Sequence, residues 1–182
     1  MPTRSCSVGD TRPEPGDTSR TTAVRRLDEP LRVAVVTPLS DSRDAGLYVA
    51  ASRITDETRI FLPRPPIGDW PTDVNVTPVP STGSRLTSMW MHGLRRLVGQ
   101  FRADVIHVHT EPWSLIAQQL IGLDTAVIIH GVESRYRDAP WRLRVRRTGT
   151  RRVLTGASGY LNWGHTGLRA ASEAGLPPRT PR

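Results

Sequence analysis

Residues 103–120, ADVIHVHTEPWSLIAQQL, carry two histidines two positions apart near the end of an apolar run. On a strand, His107 and His109 project from the same face. The run breaks at Glu111-Pro112-Trp113 into a segment of helical character, and a second apolar run, TAVIIH, ends in His130 followed by Gly131. Histidine can donate to an oxyanion, move a proton near neutral pH, or ligate a metal. With Glu111 and His130 nearby, His107 and His109 would suit zinc or iron. No cysteine or second H-x-H supports a metal, however, and none is expected. The expectation is a packed, hydrogen-bonded His107 and a His109 at the edge of a cleft. Gly131 allows a tight turn and close approach of a ligand to the backbone; the plainer reading of His130 is a histidine that merely ends a strand. Glu111 could act as a base or hold hydroxyl groups, or it could compensate the positive end of the following helix.

The elements that must position these residues alternate in type. LRVAVVTPLS (31–40) is β-branched and apolar throughout, the mark of a strand covered on both faces. Further strands are expected at 58–63, 74–80, 104–109, 125–130 and 157–163. Helices are expected at 45–57, 81–101, 112–123, 139–156 and 164–176. The helix at 81–101 has the clearest pattern, with Leu86, Met89, Trp90, Leu94, Leu97, Val98 and Phe101 on one stripe. Ser81 or Thr82 would cap it, and Pro112 would sit in the first turn of the next helix. This alternation implies an α/β fold, a doubly wound and mostly parallel sheet of about five or six strands. Ligands of such sheets bind at the carboxyl ends of the strands, which puts Thr37–Asp44, Thr110–Trp113 and His130–Glu133 on one rim.

Composition bounds the function classes. A chain of 182 residues suits one domain. Residues 1–29 read as a disordered extension, 30–177 as the folded domain and 178–182 as a tail. No apolar run is long enough to cross a bilayer, the N-terminus has no apolar signal core, and Cys6 is the single cysteine, so a cytoplasmic protein is expected. The net charge of +8 comes from arginine alone. It favours anionic partners without choosing among them. The run Trp141–Arg152 could lie on an anionic membrane surface or be a solvated face. No nucleic-acid module is visible. No G-x-G-x-x-G follows the first strand, and a lysine-free chain holds no Walker A motif.

The order LRVAVVTP, LRRLVGQFRADVIHVHTEPWSL, AVIIHG and RRVLTGASGYLNWGHTGLRAASEAGLP resembles the N-terminal domain of the GT-B glycosyltransferases of family 4. TEPWSL is similar to the branch in which EEPWSL follows the strand ending in histidine. The resemblance spans residues 31–177. It implies a Rossmann-like acceptor-side domain of a retaining, metal-independent enzyme that transfers a sugar from a nucleotide-sugar donor to a hydroxyl. The acceptor would be lipid-linked, a polysaccharide or a small molecule. No cofactor is implied beyond the donor substrate. His130 would face the reaction centre, with Ser40, His109, Glu111 and Gly131 toward the acceptor. The first loop, LSDSRDAGLY, has one glycine where many members have two, and the sequence holds no E-x7-E donor element. The resemblance therefore implies a donor-binding domain supplied in cis or trans, with this chain inactive alone and possible peripheral contact with the inner membrane face. The alternative reading is a non-catalytic basic α/β module for anionic ligands, either a membrane surface or nucleic acid.

Overall fold

The computed structural model describes residues 30–41, 45–72, 74–83, 88–131 and 140–162. The expected N-terminal extension, the last helix at 164–176, the tail and residues 42–44 of the first loop lie outside the described residues. Six strands form one parallel sheet: β1 (Arg32–Val36), β2 (Glu57–Leu62), β3 (Asn75–Pro78), β6 (Val105–His109), β7 (Ala126–Gly131) and β8 (Gly159–Asn162). Their order is β3-β2-β1-β6-β7-β8. The chain winds outward from β1 to β3, returns beside β1 as β6, and winds outward the other way. This is the doubly wound α/β arrangement, Rossmann-like, that the alternating pattern implied.

Central strands buried on both faces explain the unbroken apolar runs. Ala34, Val36, Ile106, Val108, Val127 and Ile129 face one core, with Leu94, Val98 and Phe101 of α2 (Leu94–Phe101), Ile116 and Leu120 of α3 (Leu115–Leu120), and Val153 of α4 (Pro140–Gly156). Val33, Val35, Ile60 and Leu62 face the other, with Tyr48 of α1 (Ala45–Ile54) and the ring of Trp70. His107 and His109 alternate with Ile106 and Val108, so they lie on the Tyr48 side of the sheet.

The segment 81–101 departs from the expected single helix. Ser81–Thr82 (β4) and Trp90–Met91 (β5) form a small antiparallel ribbon, and α2 starts only at Leu94. Gly93 is the reason: it precedes the helix in the left-handed region at φ 74°, where glycine carries no steric penalty. Ser81 and Thr82 lie in β4 and do not cap α2. Ser81 Oγ donates to the Pro63 carbonyl at 2.8 Å, and Thr82 Oγ1 meets His92 Nε2 at 3.2 Å. Trp90, expected on the buried stripe, is 43% exposed, whereas Met89 and Met91 are buried.

α3 is also shorter than expected. Pro112 lies in a turn before it, and Ser114 is the cap, its Oγ accepting from Ala117 N at 3.1 Å. At the other end, the Arg95 guanidinium donates to the carbonyls of Gln119 at 2.8 Å, Ile121 at 2.9 Å and Gly122 at 3.3 Å, closing carbonyls the helix leaves open. Gln119 is buried and reaches β5, accepting from Met91 N at 3.2 Å and donating to Met91 O at 2.8 Å. Gly149 does not break α4. It lets the helix approach, since a Cβ there would lie 3.4 Å from Trp113 Cβ.

Candidate functional site

The strand order reverses between β1 and β6, and the carboxyl ends of these two strands frame the crevice where such sheets bind ligands. Thr37 leaves β1 there, His109 ends β6, and His130 stands directly beside His109 in register on β7. The sequence anticipated this convergence of His109 and His130, and the structure brings them together with ring centroids 4.9 Å apart. His107 joins them. Its ring stacks on His130 at 5.3 Å and 13°, with Nε2 and Nδ1 hydrogen-bonded at 3.2 Å.

Burial runs opposite to the expected order. His109 is 8% exposed, while His107 and His130 are half-buried. The cause is Tyr48, which reaches from α1 over the end of β6. Its hydroxyl bonds His109 Nδ1 and donates to Thr37 Oγ1 at 3.0 Å. Trp70 stacks on Tyr48 at 6.5 Å and 11°, and Trp70 Nε1 donates to the Ser40 carbonyl at 3.2 Å. Tyr48 and Trp70 were not singled out in the sequence, and Thr37 was expected only as the start of the rim loop. A tyrosine within an apolar helix face is the one available signal, because a buried phenol usually finds a hydrogen-bond partner.

Ser40 is buried at the rim, and its carbonyl accepts from Ile67 N at 2.8 Å as well as from Trp70, so it ties two loops together. Glu111 is half-buried in the turn after β6, where its carbonyl accepts from Ser114 N at 2.9 Å. Its carboxylate acts on Tyr160 of β8. Burial, and then the Glu111 charge, push the Tyr160 hydroxyl up to about 12.

Gly131 ends β7 without a positive φ. A Cβ there would fall 2.6 Å from the Tyr160 hydroxyl and 3.1 Å from a ring carbon. Gly131→Ala is therefore expected to destabilise the fold by about 1–3 kcal/mol. Adding Tyr160→Phe should recover part of this in a double-mutant cycle followed by urea unfolding.

All three imidazoles are held neutral. Burial, and then the neighbouring His130 and His109, lower His107 to about 4. Burial, and then His130, lower His109 to about 4, and burial lowers His130. Neutral rings at pH 7 can each donate one hydrogen bond and accept one. No group of three or more His, Cys, Asp or Glu among the described residues is arranged to hold a metal ion. Nor is any described helix long and apolar enough to cross a membrane.

Comparison with known protein families, curated proteins and solved structures returns no match for this chain.

Proposed function

We propose that this chain is the acceptor-side domain of a GT-B glycosyltransferase resembling family 4. In this reading it presents an acceptor hydroxyl to a nucleotide sugar bound by a second domain, in cis or trans, with retention of configuration. The observation that carries the reading is the gathering of neutral His109 and His130 with Tyr48 at the point where the strand order reverses. The ordered motifs quoted above support it further.

His130 would stand at the reaction centre. His109 and Glu111 would engage acceptor hydroxyls, with Ser40 and Gly131 shaping the rim. Sugars are neutral polyols, and paired donors and acceptors on neutral rings suit them without the cost of desolvating an ion. Holding the acceptor in line with the donor lowers the barrier by orientation, so neither half turns over donor efficiently alone. The exposed Arg147, Arg151 and Arg152 of α4 support peripheral contact with an anionic membrane face.

The same arginines favour the alternative, a non-catalytic binder of anionic ligands. Calorimetric titration of the whole chain with methyl glucoside and myo-inositol separates the two readings. Acceptor binding is expected to hold between about 50 and 200 mM salt and to weaken about tenfold in His130→Ala, the loss of roughly one hydrogen bond. Affinity confined to anionic probes, falling steeply with salt and indifferent to His130→Ala, would overturn the glycosyltransferase reading.

A further inference from the structure

The end of β7 is met from both faces of the sheet. His130 projects from one face, and Gly131 faces the other. Tyr160 of β8, one strand spacing away at about 4.8 Å, reaches over that second face. It stands in register with Ile129, and its ring packs against the core that Ile129 and Val153 share. The side chain leans along the strand toward the carboxyl rim, so its hydroxyl lies 2.6 Å from where a Cβ on Gly131 would be. Glycine at 131 leaves that space open to the phenol.

Packing accounts for the ring but not for the hydroxyl. The Tyr160 hydroxyl makes no hydrogen bond among the described residues, and it is not sealed from solvent. A phenol held in a core usually finds a partner, and phenylalanine would fill the same place. Burial, and then the charge of Glu111 in the turn after β6, keep the phenol protonated at neutral pH. It therefore meets a ligand as an O–H donor, while a carboxylate accepts and has room for several donors.

We propose that Tyr160 is a ligand-binding residue of the rim, its O–H donating to an oxygen of a neutral polyol beside the end of β7. Glu111 accepts from a hydroxyl of the same ligand. The pair then discriminates by chemistry. A polyol both accepts from the phenol and donates to the carboxylate, whereas a phosphate at this position takes the phenol bond and meets the Glu111 charge. His130 on the opposite face closes the other side of the strand end. That the polyol is a sugar acceptor rests on the proposed function above.

The test is calorimetric titration of the whole chain with methyl glucoside, run beside urea unfolding. Tyr160→Phe keeps the ring in the core and removes only the hydroxyl. It is expected to unfold at the wild-type urea concentration yet bind methyl glucoside about five- to tenfold more weakly, the loss of one hydrogen bond. Glu111→Gln should let inorganic phosphate compete for the site where the wild type resists it. Wild-type affinity in Tyr160→Phe, with His130→Ala still weakened, would overturn this inference and leave the acceptor reading standing. So would a lowered unfolding midpoint in Tyr160→Phe, which would give the hydroxyl a structural bond instead. Unchanged resistance to phosphate in Glu111→Gln would overturn the selectivity assigned to the pair. A wild-type chain that binds no methyl glucoside would overturn both readings.

Discussion

Acid should destabilise this protein before its carboxylates titrate. Stability is expected to stay level from about pH 8 to 7 and to fall steadily as the pH drops from 6.5 toward 4. In the folded state, burial and the neighbouring rings lower His107 and His109 from 6.5 to about 4. In the unfolded chain, nothing lowers them. Between those values the unfolded state binds more protons, so stability rises with pH and is lost on acidification. A shift of that size has an upper limit of about 3 kcal/mol per ring. Partial solvent screening and the coupling of the rings bring the combined loss to on the order of 2–3 kcal/mol. Urea unfolding at several pH values measures it. His107→Gln, which keeps a polar group but cannot charge, should flatten the slope. A stability unchanged between about pH 7 and 5 would contradict the packed histidine cluster.

Gln119→Leu should lower stability by about 2–4 kcal/mol, the cost of leaving two buried backbone groups unpaired. Gln119 serves Met91 as a neighbouring strand would, accepting its N–H and donating to its carbonyl in a site closed to water. Gln119→Glu keeps the acceptor and loses the donor, so it should cost part of that amount. The effect extends toward the rim because α3 follows directly on the turn that holds Glu111. A loss below about 1 kcal/mol in Gln119→Leu would mean that β5 is held by its pairing with β4 and its apolar contacts, without need of Gln119.

The central strands were legible because parallel strands covered on both faces are apolar along most of their length, as β1 is after Arg32 and as β6 and β7 are apart from their histidines. The parallel α/β arrangement followed from the alternation of strands and helices, but the strand order, and with it the crevice between β1 and β6, came only with the structure. The segment 81–101 was not legible. Its apolar residues fall at helical spacing, and Met89 and Trp90 fit the helix stripe with Leu94, Leu97, Val98 and Phe101. What decides the matter is Gly93 in the left-handed region, and Gly83 at φ 93°, where a Cβ would lie 2.5 Å from the Ser88 carbonyl. The histidines were recognisable as rim residues, but their relative burial was not, because it is set by Tyr48 on a helix far away in sequence. Long-range side-chain contacts of this kind leave no periodic trace.

The most direct test of the central claim, that the mouth between β1 and β6 receives a neutral hydroxylated acceptor, is a titration with methyl glucoside. The side-chain nitrogens of His109 and His130 would be followed in ¹⁵N-histidine-labelled protein. The account predicts that His109 Nε2 and His130 respond together in a saturable way that is insensitive to salt. Silent His109 and His130 resonances, with inorganic phosphate instead perturbing the arginines of α4, would contradict it.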